Sequence, residues 1–256
     1  MLVYRVAVAL FGLLWLSLAA RLGSAVPEGG PEFMLLVLTA LAAGHLLADL
    51  VSGLVHWFAD EFFEEDSPIV GPLLITGFRE HHRRPRDILL HDALEVSGYN
   101  ALVCLPVLLA LWWWPAATQL GSIAHAVLLA TTLSVLATNQ LHKWAHADRV
   151  PATVAWLQRG GVILSREAHA CHHARGDRAY CVTAGWLNPA LDATGVLRAV
   201  ARRIHAAAGP ASGEGRPLIQ RRRWWAALAE SPAVRRDWRR RGSGRRAGVG
   251  RTARSP

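Results

Sequence analysis

The sequence predicts an all-α integral membrane protein: four transmembrane helices with a histidine-rich helical cap on the cytoplasmic side. Three observations lead to this prediction. Hydrophobic residues make up 52% of the 256 residues, although the formal net charge is +9. The apolar residues stand in four nearly uncharged runs of about 20 residues, the length that a helix needs to cross the hydrocarbon core. The twelve histidines are grouped, mostly near the ends of these runs or in the segments that follow them.

The four apolar runs are predicted to cross the bilayer as helices. They cover about residues 3–22, 33–57, 100–119 and 121–141. The sequence Trp112–Trp114 followed by Pro115 is typical of an aromatic belt at the membrane surface and of a helix stop. The link to the fourth run is short, so the third and fourth spans should form a tight hairpin. The first run has an alternative interpretation as a signal peptide, because the small residues 23–25 follow it.

The basic residues predict the orientation of the spans. Loop 23–32 contains two acidic residues and no Lys or Arg. Loop 58–98 contains four arginines, Arg79, Arg83, Arg84 and Arg86. About half of all Lys and Arg follow residue 200. We therefore expect both termini and loop 58–98 to face the cytoplasm, which brings every histidine cluster to that side.

Residues 1–200 are predicted to form the membrane domain, and residues 201–256 a basic, mostly disordered tail. The tail is rich in Arg, Gly, Ala and Ser, and one basic amphipathic helix is expected at 218–241. Attachment to anionic lipid head groups is its expected role, rather than binding to nucleic acid. The three cysteines form no disulfide framework and no CxxC pair, which argues against a cysteine-based zinc site.

Polar residues recur along the second span at spacings of 4, 3, 4 and 4, which places them on one face of a helix: His45, Asp49, Ser52, His56 and Asp60. Polar groups inside an apolar span require partners. For His45 the favoured role is a hydrogen bond between helices. For His56, at the end of the span, it is metal binding.

The other candidate ligands are histidines in pairs and triplets: His81, His82, His91, His142, His146, His169, His172 and His173. His142 and His146 stand at i and i+4, so both imidazoles project from one helix face. The triplet at 169–173 has the spacing i, i+3, i+4 and can present three nitrogens to one centre.

The number of histidines bears on the kind of metal site. One tetrahedral zinc uses four ligands, so this many imidazoles suits two metals with open positions. Imidazole binds zinc, copper, iron and nickel alike, and iron is suited to oxidising an unactivated C–H bond. The sequence has no HExxH, no GxSxG and no phosphate-binding glycine loop, which argues against a protease, a serine hydrolase and nucleotide chemistry.

Several stretches resemble the plasmanylethanolamine desaturase family, also called the lipid desaturase or Kua family. HxxxH and HxxHH boxes are general to membrane desaturases and hydroxylases, and the combination of NQLHKWAH with GWLNPALD is more specific. The resemblance covers about residues 45–195. The matching stretches are ADLVSGLVHWFAD, FREHHRRPRDILLHDALE, NQLHKWAH, SREAHACHH and AYCVTAGWLNPALD.

The resemblance implies an O₂-dependent oxidoreductase with two iron ions that desaturates a membrane phospholipid. Animal and bacterial members of the family convert the alkyl ether plasmanylethanolamine to the vinyl ether plasmalogen, whereas plant relatives desaturate an acyl chain on phosphatidylglycerol. The implied ligands are nine histidines, with Asp60 as a ligand or as a residue that orients one: His56, His81, His82, His91, His142, His146, His169, His172 and His173. Relatives often carry a further histidine where this chain has Ala168, and a proline where it has Ser165.

The chain has no flavin, haem or Cys₄ motif, so electrons are expected from a ferredoxin or a cytochrome b5-like protein. The arginines of loop 58–98 can dock an acidic donor or hold a lipid phosphate. Two other functions stay open: acyl-lipid desaturation or hydroxylation on the same scaffold, and a non-enzymatic membrane regulator of a carotenoid or stress response.

Overall fold

The computed structural model describes residues 2–25, 31–114 and 118–207, and these residues are nearly all helical with no strand among them. The prediction of an all-α fold is confirmed. A π-helical turn at Gly71–Ile75 leads into the third helix, and a 3₁₀ turn at Asp87–Leu90 precedes the fourth. In chain order the α-helices are α1 (Leu2–Ala25), α2 (Pro31–Phe62), α3 (Thr76–Arg83), α4 (Ala93–Trp113), α5 (Gln119–His146), α6 (Ala152–Arg159), α7 (Arg166–Arg175), α8 (Asn188–Thr194) and α9 (Val196–Ala207).

Four of these helices, α1, α2, α4 and α5, are long and apolar enough to span a membrane, so the chain is a multi-pass membrane protein. Their bounds differ from those of the predicted runs: α2 continues beyond 57 to Phe62, and α4 ends at Trp113 rather than at 119. α4 begins at Ala93 rather than near 100, because Asp92 and Glu95 form a capping box: Glu95 N donates to Asp92 Oδ1 at 2.8 Å, and Asp92 N donates to Glu95 Oε2 at 3.0 Å. α5 continues beyond 141 to His146. A count of apolar residues does not detect these extensions, since they consist partly of polar residues.

Close helix contacts hold the spans together. α2 packs against α5, α1 against α4, and α4 against α5. A Cβ atom on Gly44 of α2 would lie 2.5 Å from Ala130 Cβ of α5, so only glycine permits this approach. Gly98 of α4 meets the side chain of Tyr4 in the same way. Small residues at such crossings are typical of membrane helices, whose association depends on close packing rather than on the hydrophobic effect.

The polar face of α2 is used mainly for hydrogen bonds within the protein. The His45 ring contacts Ser134 Oγ of α5 at 3.1 Å and the backbone oxygen of Val162 at 2.9 Å. The prediction of a hydrogen bond between helices at His45 is confirmed. Ser52 Oγ accepts from Val182 N at 3.1 Å. This face therefore anchors the segment between α7 and α8 against the span.

The last described helix crosses the predicted domain boundary at residue 200. α9 covers Val196–Ala207, so residues 201–207 are helical. Its buried Leu197 and Ala201 belong to one apolar cluster with Trp57 and Phe62 of α2. The rest of the predicted tail, including the helix expected at 218–241, lies outside the described residues.

Candidate metal centre

The predicted ligands other than His91 come together in two neighbouring groups where α2 and α5 end. Each residue of a group offers a ligand atom within 4.8 Å of the others. The five-histidine group contains His81, His142, His146, His169 and His173. The mixed group contains His56, Asp60, His82 and His172. The groups adjoin each other, since the His82 and His173 ring centroids are 5.1 Å apart.

In the five-histidine group the imidazole Nε2 atoms face one another. His169 Nε2 lies 2.7 Å from His142 Nε2 and 2.9 Å from His173 Nε2. His142 Nε2 lies 3.3 Å from His146 Nε2, and His173 Nε2 lies 3.2 Å from His81 Nε2. The i,i+4 pair of α5, the i,i+4 pair of α7 and one residue of α3 therefore supply converging nitrogens from three helices.

The mixed group is built around the carboxylate of Asp60. Asp60 Oδ2 lies 3.4 Å from His56 Nε2 and 3.6 Å from His172 Nε2, and Asp60 Oδ1 lies 3.3 Å from His82 Nε2. All four side chains are almost completely buried. The spacing of four residues between His56 and Asp60 on α2 places both on one helix face.

Backbone carbonyls orient two ligands of the mixed group. His56 Nδ1 lies 3.2 Å from Tyr180 O, and His172 Nδ1 lies 2.8 Å from Arg178 O. A carbonyl only accepts, so each Nδ1 carries the proton and each Nε2 presents a lone pair that can bind a metal. Ala179, between the two carbonyls, has φ 57°, a left-handed conformation that is rare for a residue with a Cβ. This turn brings the carbonyls on both sides of Ala179 to the same site.

Burial keeps the imidazoles outside the spans in their neutral form. It lowers the pKa of His81, His82, His169, His172 and His173 below the ordinary histidine range, and in all but one case neighbouring histidines lower the pKa further. The exception is His172, where Asp60 opposes the effect of burial. Neutral imidazole is the form that binds metals.

Acidification is expected to destabilise the metal-free protein. The folded-state pKa values of these five histidines lie below the ordinary value of 6.5, so the unfolded chain takes up protons first as the pH falls below that value. Stability is therefore present above about pH 6.5 and is lost below it. The unfolding temperature of detergent-solubilised, metal-depleted protein should fall from about pH 7.5 to about pH 5.5. An unfolding temperature that stays constant or rises as the pH is lowered over this range would contradict the conclusion that these histidines are neutral in the folded protein.

The donor set fits transition-metal ions. Two neutral imidazole nitrogens that face each other at 2.7 Å, as in His142 and His169, need a proton or a cation between them. One group offers five imidazole nitrogens, and the other offers three with one carboxylate. Such sets suit divalent first-row metals, and together their nine ligands exceed the four of one structural zinc site. These residues thus form two adjacent candidate metal sites.

A family model described as the lipid desaturase domain matches residues 45–214, which include every residue of both groups. The chain belongs to the lipid desaturase family. Plasmanylethanolamine desaturase of Myxococcus xanthus is 41% identical over 157 residues, covering 61% of this chain and 56% of the relative. Plasmanylethanolamine desaturase 1 of Mus musculus is 40% identical over 170 residues, covering 64% of this chain and 63% of the relative.

A plant fatty acid desaturase is also similar. The chloroplastic fatty acid desaturase 4 of Arabidopsis thaliana is 33% identical over 184 residues, covering 67% of this chain and 53% of the relative. The chain thus spans between about half and two thirds of the length of these relatives. No solved structure matches it.

One residue of the ligand set that the resemblance implies, His91, lies outside both groups. It follows the 3₁₀ turn, its side chain is 58% exposed, and its Nδ1 lies 3.3 Å from Glu95 Oε2. Its backbone oxygen accepts a hydrogen bond from Lys143 of α5. The spacing of His91 from His81 and His82 does not reveal that His91 lies outside the groups, because the chain turns away from the site between Arg84 and Asp92.

Replacing His91 with alanine is expected to leave metal content and activity close to those of the unmodified protein. The exposed ring is separate from both groups, and exposed substitutions usually change stability by less than about 0.5 kcal/mol. Metal analysis of the purified protein and product formation in membranes provide the measurements. Loss of metal in this variant would instead support the ligand role that the resemblance implies.

The position where relatives often carry a further histidine faces away from the metal groups. Ala168 lies on the exposed side of α7, whereas His169 and His172 are buried. Ser165 is the N-cap of α7, and its Oγ accepts from Ala168 N at 3.2 Å. A helix can therefore hold the triplet without a histidine at 168, and Ser165 begins this helix with an ordinary side-chain cap.

The predicted basic face of loop 58–98 needs a correction. Arg79 is buried, and its guanidinium lies 3.4 Å from Asp60 Oδ1 and also donates to the backbone oxygen of Phe63. Arg79 thus stabilises a residue of the mixed group and is not a surface residue. Arg83, Arg84 and Arg86 are exposed but form ion pairs with neighbouring acidic residues. Sequence reasoning missed the role of Arg79 because its partner is 19 residues away on another helix.

Proposed function

We propose that this chain is an O₂-dependent di-iron lipid desaturase that converts an alkyl ether phospholipid, plasmanylethanolamine, to the vinyl ether plasmalogen. The observation that carries the proposal is the pair of adjacent buried ligand groups at one end of four spans, in a chain about 40% identical to two relatives named for this reaction. A signalling protein has no need for eight converging histidines and a carboxylate.

The ligands divide into two sites. The five-histidine group would hold one iron, and His56, Asp60, His82 and His172 the other. Iron bound there would supply the oxygen-dependent oxidation that removes two hydrogens from the lipid chain. The protein residues keep the imidazoles neutral by burial and orient their nitrogens through the carbonyls of Arg178 and Tyr180.

The position of the site suits a lipid substrate. His56 and Asp60 lie in the last two turns of α2, and His142 and His146 in the last two turns of α5. These residues mark the end of the membrane-spanning segments, while α3 and α7 supply the remaining ligands from outside the spans. A phospholipid would enter laterally from the bilayer with its head group near the site. We propose that this end of the protein faces the cytoplasm, as the distribution of arginine predicts.

Electrons must come from a partner, since oxygen is reduced to water with two electrons from the lipid and two from a donor. A ferredoxin or a cytochrome b5-like protein is the proposed donor. The exposed arginines Arg83, Arg84 and Arg86 are all paired with acids. The positive electrostatic potential of these arginines is therefore weaker than the sequence suggests. Docking of the electron donor need not depend on them.

The lipid product tests the proposal directly. The chain would be expressed in a host that lacks plasmalogen and is supplied with an alkyl ether phospholipid. Mass spectrometry should show an acid-labile ether lipid lighter by two hydrogens, and the purified protein should contain iron. The His146→Ala variant in the same host serves as the control. New acyl unsaturation without vinyl ether would instead favour the reaction named for the Arabidopsis relative. Protein that binds zinc or no metal, and forms no new lipid, would favour a non-enzymatic role.

A further inference from the structure

α9 carries a row of apolar side chains that the other described residues cover only in part. Val196, Val200 and Ile204 are spaced by four residues and are 43%, 37% and 37% exposed. At 100° per residue they lie within an arc of about 80° on one side of the helix. Leu197 and Ala201, on the adjoining arc, are buried. The apolar side of α9 is thus divided into a buried half and an exposed half.

The buried half fixes α9 at the membrane boundary. Leu197 and Ala201 pack with Trp57 and Phe62, which lie in the last two turns of the span formed by α2. The His205 ring binds Glu61 Oε1 at 3.0 Å and contacts the Phe62 ring. α9 therefore runs beside the end of a span, at the level where lipid chains give way to head groups.

α9 lies next to a part of α2 that faces lipid. Phe58 of α2 is exposed within the span, and its ring lies 5.5 Å from that of Phe62. The Phe62 ring in turn lies 5.5 Å from the His205 ring of α9. Phe62 is itself buried, so these ring contacts place α9 directly beside the lipid-facing Phe58 at the end of the span.

Basic residues lie beside the apolar row of α9 and on the opposite side of the helix. Arg202 and Arg203 are exposed, and Arg203 lies about 20° around the helix from Val196. Arg198 and Arg202 lie on the opposite side of the helix. No acidic residue occurs in α9. An apolar row with an arginine beside it and further arginines on the polar side is typical of a helix that lies in the plane of the membrane interface and prefers anionic lipid.

We infer that α9 is an interfacial helix, with Val196, Val200 and Ile204 inserted among the lipid chains and Arg202 and Arg203 bound to anionic head groups. The inference requires only that the chain spans a membrane and is independent of its catalytic activity. It also gives α9 a role in supporting the mixed metal group, because α9 packs on Trp57, next to His56.

Fluorescence quenching on the full chain tests the inference. Single cysteines would be introduced as Ile204→Cys and, as the matched control on the polar side, Ala206→Cys, both at exposed positions. The background would carry Cys171→Ser, since Cys171 is exposed while Cys104 and Cys181 are buried. The labelled proteins would be reconstituted in vesicles of phosphatidylcholine with phosphatidylglycerol. Quenching by doxyl-labelled lipid should be at least about twofold stronger at 204 than at 206, and quenching by aqueous iodide should show the reverse order.

A charge-reversed variant tests the head-group contact. In the unmodified helix, lipid quenching at 204 should increase when phosphatidylglycerol is added to phosphatidylcholine vesicles. With Arg202→Glu and Arg203→Glu this increase should disappear. Equal iodide quenching at 204 and 206 would show that the row faces water and would overturn the inference. A label at 204 that is protected from both quenchers, and loses this protection when the protein is diluted in lipid, would also overturn the inference. Such a result would mean that a second copy of the chain covers the apolar row.

Discussion

Replacing His146 with alanine is expected to lower iron retention and lipid desaturation by at least about 100-fold, since loss of even an orienting neighbour of a metal ligand costs 10–100-fold. His146 is buried, and its Nε2 lies 3.3 Å from His142 Nε2 within the five-histidine group. Alanine removes one of five donors and leaves a space beside His81 and His169, whose rings contact that of His146. The spans do not depend on this ring, so the variant should still insert into the membrane.

Three measurements separate metal loss from misfolding in the His146 variant. Iron per chain is measured on purified protein, vinyl ether lipid is measured in the expressing membranes, and the elution profile in detergent reports on folding. The His91→Ala variant is the matched comparison, because it also removes one imidazole but from outside both groups. Desaturation that persisted at more than half of the normal level in His146→Ala would contradict the assignment of the five-histidine group as a metal site.

Replacing Asp49 with alanine is expected to lower the free energy of unfolding by about 3 kcal/mol or more, because buried groups left without a hydrogen bond cost about 1–3 kcal/mol each. Asp49 is completely buried in α2. Its Oδ1 accepts from Ala184 N and Gly185 N, each at 2.8 Å, and its Oδ2 accepts from Leu187 N at 3.2 Å. Alanine leaves three backbone N–H groups without their acceptor in a region where water is scarce.

The Asp49 variant should also lose metal. The segment that Asp49 holds begins near Arg178 and Tyr180, whose carbonyls orient His172 and His56. When this anchor is removed, the nitrogens of the mixed group lose their fixed direction. The expected result is a lower unfolding temperature together with less iron per chain, measured on the same preparation.

Two graded variants serve as controls for Asp49→Ala. In Asp49→Asn, the amide oxygen can still accept from Ala184 and Gly185 and only the bond to Leu187 is lost, so the change in unfolding free energy should be roughly a third to a half as large. Ser52→Ala removes a single acceptor, that of Val182 N, and should have a similarly small effect. An unfolding temperature for Asp49→Ala equal to that of the unmodified protein would show that the segment is held by other contacts.

Several features of the site were predictable because they depend on local spacing. The pairs at 142 and 146 and at 169 and 173 are four residues apart on helices, and in both pairs the rings project together. The polar face of α2 was predictable for the same reason. The extents of α4 and α5 were not, because a capping box and a polar last turn extend these helices beyond their apolar runs.

The amino-acid sequence by itself determined which helices cross the membrane and which imidazoles share a helix face, since apolar length and the period of 3.6 residues are local properties. Only the tertiary structure decided which faces meet. It divided the ligands into a five-histidine group and a mixed group, left His91 on the surface, and buried Arg79 against Asp60. It also showed that Asp49 holds the loop that orients His56 and His172. These relations depend on how α2, α3, α5 and α7 pack, and packing joins residues that are far apart along the chain.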